Sequence, residues 1–142
     1  MPTRRATASW EGTLKTGKGQ FKGETGLGGN YSFASRFENG TGSNPEELLA
    51  AAEAACFTMA LNVALERAGT PAQKVETQAA CTIEKVGEGF KITTMKLTVR
   101  AAVPNIDSAT FQKTAEATKE GCPVSGALKG NVKLELDAQL VQ

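Results

Sequence analysis

A long alanine-rich segment with clear start and stop signals constrains the fold of this chain more than any other feature. Asn44 and Pro45 are typical of a helix N-cap and a first helical position, and Glu47 follows at the capping-box spacing. Gly69 is the usual left-handed residue at which a helix ends. The pattern predicts one helix that runs to about Ala68 and is roughly 35 Å long.

The predicted helix is apolar nearly all round. Between Leu48 and Leu65 its polar residues are Glu53, Thr58 and Asn62. A helix of that composition has to bury most of its surface. One small sheet covers one face only, so we expect a second copy of the chain to cover the other face.

Alternation of polar and apolar residues predicts the strands. Patterns with this period occur at 6–14, 31–37, 74–86, 90–103 and 131–140. Gly87 and Gly89 lie between the third and fourth of these segments, which is typical of an antiparallel hairpin.

Two shorter helices are predicted before the last strand. Asp107 or Ser108 caps the first of them, and Gly121 closes it. Cys122 stands before a proline, which begins a short helix that runs to about Leu128. Cys122 is therefore expected at an exposed helix start.

The pattern of elements predicts the fold class. The glycine-rich segment 15–30 is interpreted as hairpin turns, because its spacing matches neither a Rossmann nor a P-loop phosphate motif. Antiparallel strands with helices packed on one side define the α+β class. A chain of this length suits a single domain, and we assign it residues 1–142.

Composition excludes several classes of partner. The formal net charge is +1, so the chain lacks the basic patch that nucleic acid or an anionic membrane would require. The basic N-terminus precedes no apolar leader, and no stretch approaches the roughly 18 apolar residues of a membrane span. We expect a cytoplasmic protein that binds neither nucleic acid nor membrane.

Three cysteines and no histidine define the chemistry that is open to this chain. Structural zinc sites usually draw four ligands from cysteine and histidine, so we expect no metal and no cofactor. In a reducing compartment, cysteines are more often catalytic or redox-cycling than structural disulfides. Cys81 shares a strand face with Ala79 and Ile83, which favours a role in core packing.

Cys56 and Cys122 have different predicted surroundings. Cys56 lies within the apolar helix, where a buried thiol has a raised pKa and is inert unless a cation reaches it. Cys122 lies at a helix N-terminus, where the helix dipole favours a thiolate. Each residue also has a purely structural interpretation, Cys56 as a small apolar side chain and Cys122 as part of a tight turn. The spacing between the two cysteines is far too long for a Cys-x-x-Cys redox motif, so they can pair only if the fold brings them together.

Two long motifs stand in order along the chain. The first runs from 42 to 61 around Cys56, and the second runs from 119 to 125 around Cys122. They resemble the cysteine motifs of the OsmC/Ohr family, the osmotically induced and organic-hydroperoxide-resistance proteins. The surroundings of Arg36 resemble the OsmC branch more than the Ohr branch. The resemblance implies an OsmC-like fold in which antiparallel sheets wrap around the long central helices of an intertwined homodimer.

The resemblance also implies an activity and its residues. It implies a cysteine peroxidase that reduces organic hydroperoxides, with hydrogen peroxide as a further candidate substrate. In that interpretation Cys56 attacks the peroxide and Cys122 forms a disulfide with it. Arg36 stabilises the Cys56 thiolate, and Glu46 holds the arginine in place. A dithiol, such as a dihydrolipoyl-type protein, is the implied reductant.

One position departs from the family pattern, and two other functions remain open. Glu53 stands three residues before Cys56, where close relatives often carry histidine or a small residue, and a carboxylate there should raise the thiol pKa.

A non-catalytic binder of apolar small molecules is the main alternative function, with the cysteines used for packing. A cysteine hydrolase or acyl transferase is weaker, because such nucleophiles typically need an imidazole partner.

Overall fold

The computed structural model describes residues 1–141, which form two compact units. The first unit comprises residues 1–48, and the second begins at Leu49. Each unit contains one three-stranded sheet. The assignment of residues 1–142 to a single domain stays a prediction.

The first unit is a small antiparallel meander followed by a short helix. Its strands are β1 (Ala6–Glu11), β2 (Lys18–Gly23) and β3 (Gly28–Tyr31), paired in the order β1-β2-β3. The glycine-rich segment therefore contributes strands β2 and β3 as well as their turns. Helix α1 (Phe33–Phe37) follows β3 directly.

The strand predicted over 31–37 is wrong beyond Tyr31. Ser32 caps α1, because its hydroxyl accepts from the Ser35 backbone N–H at 3.1 Å while the Ser35 hydroxyl accepts from the Ser32 N–H at 2.8 Å. Phe33 and Phe37 stand four residues apart, and their ring centroids lie 5.2 Å from each other. An even spacing of four satisfies both strand alternation and a helical face, so the local cap decided between the two.

Helix α2 (Pro45–Arg67) confirms the strongest prediction from the sequence. The Asn44 side chain accepts from the backbone N–H of Glu47 at 2.8 Å, and Gly69 adopts a φ of 81° beyond the last turn. The Glu47 carboxylate does not close the capping box. It accepts instead from the Ser43 hydroxyl at 2.6 Å.

The second unit contains a mixed sheet rather than an antiparallel one. Strands β4 (Lys74–Val86) and β5 (Gly89–Ala102) form the predicted hairpin. Strand β6 (Lys133–Leu140) pairs with β5 in parallel, which corrects the expectation of antiparallel sheets. A parallel pair needs a long crossover, and helices α3 (Ser108–Gly121) and α4 (Pro123–Leu128) supply it.

The core of the second unit lies along one stripe of α2. Phe57, Leu61 and Leu65 are fully buried at intervals of four residues. They belong to one apolar cluster with buried residues of β5, α3 and β6, including Leu97, Val99, Phe111 and Ala138. The core of this unit therefore forms where α2 packs against the sheet and α3.

The opposite face of α2 stays on the surface of the chain. Met59 is 72% exposed and Val63 is 38% exposed. The composition of α2 predicts burial on nearly all sides. Within residues 1–141 of this single chain, however, the helix is buried on one side only.

Helix α2 is also long and apolar enough to cross a membrane, which corrects the expectation that no stretch approaches that composition. The core helix of a soluble protein passes the same test, so the observation is weak evidence by itself. Glu53, fully buried inside the chain, lies within this segment.

Candidate active site

Cys122 lies at the junction of two helices. Its backbone N–H donates to the Thr118 carbonyl at 2.9 Å and ends α3, and the same residue is the N-cap of α4. Gly121 remains helical rather than closing α3 in the left-handed conformation, so the predicted stop comes one residue late. Asp107 caps the start of α3 as expected, with its carboxylate 2.7 Å from the Thr110 N–H.

The fold brings the two motif cysteines into contact. The Cys122 thiol donates to the Cys56 sulfur at a distance of 2.9 Å, although 66 positions separate the two residues. Both are free thiols. A disulfide requires about 2.05 Å between its sulfurs, so a small movement would allow a covalent bond.

The exposure of the two thiols is the reverse of the expectation. Cys122 is 1% exposed and belongs to the core cluster, whereas Cys56 is only half-buried. The junction between α3 and α4 turns the Cys122 side chain inward, and solvent reaches Cys56 instead. Cys56 is therefore the more accessible of the two thiols.

Several groups act on the Cys56 thiol. Burial raises its pKa, and the adjacent Cys122 sulfur raises it further, because a second thiolate in contact with the first would be repelled. The backbone of Val124 lowers the pKa by hydrogen bonding to the sulfur. The charge on Glu53 raises the pKa as well and is the smallest of these causes. The start of α4 therefore favours a thiolate on Cys56, although the sequence suggested that it would act on Cys122.

A buried polar contact lies beside the two cysteines. Glu53 is completely buried, and its Oε1 accepts a hydrogen bond from the hydroxyl of Ser125, which is 1% exposed. Its other oxygen, Oε2, is the one buried side-chain nitrogen or oxygen in residues 1–141 that has no hydrogen-bond partner. The sequence singled out Glu53 but missed Ser125, which carries no signal beyond its place in the second cysteine motif.

Arg36 and Glu46 form a bidentate ion pair in the first unit. The guanidinium Nε and Nη2 donate to the two carboxylate oxygens at 3.1 and 3.0 Å. Glu46 is buried and Arg36 is about one-third exposed on its side chain. The fork geometry fixes the plane of the guanidinium. The approach of Arg36 to Cys56 stays a prediction.

Cys81 lies on β4 opposite Met95 of β5. It is half-buried and shares its strand face with Ala79 and Ile83, which agrees with the alternation in the sequence. In residues 1–141, no group of three or more cysteine and acidic side chains could hold a metal ion.

An apolar cavity of about 650 Å³ opens beside Cys56 in the second unit. Helices α2 and α3 form its walls, and Pro123 of α4 contributes to its lining. Two cations, Arg67 and Lys113, also line it. The site therefore combines an accessible thiol, a second thiol in contact with it and space for an apolar molecule.

Comparison with known proteins identifies the family. The family model described as OsmC-like protein matches residues 38–137 of this chain. The chain belongs to the OsmC family. The peroxiredoxin OsmC of Escherichia coli (strain K12) is 43% identical to it over 134 residues, 93% of this chain and 94% of that protein.

Other OsmC family relatives agree with this assignment. The organic hydroperoxide resistance protein OhrB of Bacillus subtilis (strain 168) is 37% identical over 101 residues, 70% of this chain and 72% of that protein. The crystal structure of an organic hydroperoxide resistance protein from Elizabethkingia anophelis superposes with a TM-score of 0.80 at 27% identity, covering 99% and 98% of the two chains. The α+β fold of the OsmC family is therefore confirmed.

Proposed function

We propose that this OsmC family protein is a thiol-dependent peroxidase that reduces organic hydroperoxides to alcohols. The observation that carries the proposal is the contact of 2.9 Å between the sulfurs of Cys56 and Cys122 beside an apolar cavity. The relatives named peroxiredoxin and organic hydroperoxide resistance protein support the same chemistry. Hydrogen peroxide is a further candidate substrate.

The first step of the proposed reaction takes place at Cys56. Its thiolate attacks one peroxide oxygen, the O–O bond breaks, and the leaving alkoxide takes a proton to become an alcohol. The sulfur loses two electrons and becomes a sulfenic acid, while the peroxide gains them. Cys56 is assigned this step because it is the more accessible of the two thiols in contact.

The second step forms a disulfide. The Cys122 thiolate attacks the Cys56 sulfur, an S–S bond forms, and the S–OH bond breaks. The leaving hydroxide takes the proton that the Cys122 thiol lost and departs as water. Burial of Cys122 protects this resolving thiol from direct oxidation.

An external dithiol completes the cycle. One of its thiolates attacks the Cys56–Cys122 disulfide, and its second thiol releases the reduced protein as the dithiol is oxidised. A dihydrolipoyl-type protein is the proposed donor class. A reducing cytoplasmic compartment would supply such thiols.

Arg36 is proposed to stabilise the Cys56 thiolate, with Glu46 as its positioning partner. Burial and the neighbouring thiol raise the Cys56 pKa, so peroxide attack at neutral pH needs an opposing positive charge. The bidentate contact with Glu46 holds the guanidinium in one orientation. An arginine stays charged near apolar groups, which suits it to this role.

A homodimer is proposed as the working assembly. The exposed apolar face of α2, with Met59 72% exposed, is a surface that a second copy would bury. The intertwined arrangement implied by the family resemblance would use this face.

Thiol counting tests the proposed function. The protein is treated with one equivalent of cumene hydroperoxide, alkylated and analysed by mass spectrometry. We expect rapid loss of two thiols and a peptide in which Cys56 and Cys122 are joined. If all three cysteines remain alkylated after prolonged exposure, the peroxidase proposal is wrong.

The cavity favours a second candidate function, the binding of apolar small molecules without catalysis. Its volume of about 650 Å³ falls within the range of ligand pockets. Binding of an apolar fluorescent probe, together with a Cys56 that does not react with peroxide, would favour this function over the first.

A further inference from the structure

The contact between Glu53 and Ser125 lies about one helical turn from the contact between the two cysteines. Glu53 stands three residues before Cys56 on α2, and Ser125 stands three residues after Cys122 in the first turn of α4. Residues three apart on a helix lie on the same face. Helices α2 and α4 are therefore joined at two neighbouring points, sulfur to sulfur and carboxylate to hydroxyl.

Helix α4 needs such a contact to keep its place. It has six residues, fewer than a helix requires for stability of its own in water. Its N-cap is Cys122, whose side chain makes no capping hydrogen bond. The position of the resolving thiol therefore depends on what α4 packs against, and the Ser125 side chain is buried at that surface.

The carboxylate is costly at this position. Glu53 is fully buried, and its Oε2 has no hydrogen-bond partner. Burying an unpartnered polar oxygen is unfavourable, so an apolar side chain would stabilise the fold better. The charge on Glu53 also raises the pKa of the Cys56 thiol and so opposes peroxide attack. Neither stability nor thiolate formation accounts for a glutamate here.

We propose that the hydrogen bond between Glu53 and Ser125 positions the resolving cysteine, holding α4 on α2 so that Cys122 meets Cys56, and that it sets the rate of disulfide closure. The inference rests on the proposed peroxidase function for its biological use. Closure itself needs no peroxide, because any leaving group on the Cys56 sulfur allows Cys122 to attack.

Two rates separate this role from a structural one. In a Cys81→Ser background, the reaction with cumene hydroperoxide is quenched rapidly at a series of times. Each sample gives the amount of Cys56 thiol lost, the amount of Cys56 sulfenic acid trapped as its dimedone adduct, and the amount of disulfide formed. In a second assay, DTNB forms a mixed disulfide with Cys56 and releases one thionitrobenzoate. Attack by Cys122 then releases the second, which reports closure alone.

The variants remove the hydrogen bond or preserve it. Ser125→Ala and Glu53→Leu should slow closure at least tenfold in both assays, while loss of the Cys56 thiol stays within twofold and the dimedone adduct accumulates. Glu53→Gln keeps an oxygen that accepts from Ser125 and should close within threefold of the parent. Ser108→Ala and Glu66→Gln, at exposed positions of α3 and α2, are matched controls.

A double variant separates slow closure from a loss of folded protein. Replacing both partners by apolar groups removes the unpartnered oxygen, so Glu53→Leu with Ser125→Ala should fold at least as stably as either single variant. It should close as slowly as Ser125→Ala.

Three results would overturn the proposal. They are closure of Ser125→Ala at the parent rate, equal slowing of thiol loss and closure, and equal slowing by Glu53→Gln and Glu53→Leu. Failure of the parent to consume peroxide, with normal closure after DTNB, would instead reject the peroxidase function alone.

Discussion

The thiol of Cys122 donates to the sulfur of Cys56 at 2.9 Å across 66 positions of sequence. Each cysteine depends on a different feature for its place in this contact. Cys56 lies on a long helix whose buried stripe packs on the sheet, and Cys122 occupies the point where α3 ends and α4 begins. The pair is therefore held by the core of the second unit rather than by a local loop.

Substitution of each cysteine should stop the cycle at a different step. Cys56→Ser should abolish peroxide reduction, because the attacking sulfur is lost. Cys122→Ser should consume one equivalent of peroxide per chain and then stop, because the sulfenic acid has no resolving thiol. Peroxide consumption followed over several equivalents checks both outcomes, and Cys81→Ser should retain full turnover. Full turnover by both site variants would contradict the mechanism.

Removing the groups that raise the pKa of Cys56 should lower that pKa, and the group with the larger effect should lower it more. Cys122→Ala removes the adjacent sulfur, whose negative charge raises the Cys56 thiol pKa, so the midpoint of Cys56 alkylation should move to lower pH. Glu53→Gln should move it in the same direction by less, since that charge is the smallest cause. A lower midpoint means a larger thiolate fraction and faster alkylation at pH 7.

Iodoacetamide alkylation from pH 6 to 10, followed by peptide mass spectrometry, measures these midpoints. Glu66→Gln, which removes an exposed carboxylate of the same helix, should leave the midpoint unchanged. A shift to higher pH in Cys122→Ala would show that the neighbouring thiol stabilises the thiolate instead.

The pair of Arg36 and Glu46 should matter more for activity than for stability. Arg36→Lys keeps a positive charge but loses the two-point contact with the carboxylate, and we expect at least a tenfold loss of peroxide reduction. The free energy of unfolding should change by about 1 kcal/mol or less, because solvent screens the partly exposed arginine.

Steady-state peroxidase assays and urea denaturation measure the two effects of that substitution. Arg5→Lys, at a more exposed ion pair of the same unit, serves as the control and should change neither quantity. A loss of activity that matched a loss of folded protein would assign Arg36 a structural role only.

The exposed face of α2 should control association. Met59→Lys combined with Val63→Lys places two charges on that face, and we expect the proposed dimer to dissociate into folded monomers. Sedimentation velocity measures the mass, and circular dichroism checks the fold. Thr25→Lys, an exposed substitution in a turn of the first unit, should remain dimeric. A double-lysine variant that stayed dimeric would place the interface elsewhere.

Local patterns predicted most of the elements in this chain. The N-cap at Asn44 and the glycine at Gly69 bound α2 correctly, and the alternation of 74–86 and 90–103 predicted the β4–β5 hairpin. These signals succeed because caps, stops and alternation act between residues close in sequence. The strand prediction beyond Tyr31 was wrong because a spacing of four residues fits a strand as well as a helix.

What the sequence by itself determined was the length and apolar character of α2, the two cysteine motifs and, through them, the family. Tertiary structure alone decided that β6 runs parallel to β5, that Cys122 is buried while Cys56 is accessible, and that Ser125 binds Glu53. Each of these depends on contacts between residues far apart along the chain. No periodicity or cap encodes such contacts, because they form only when helices and strands pack into one core.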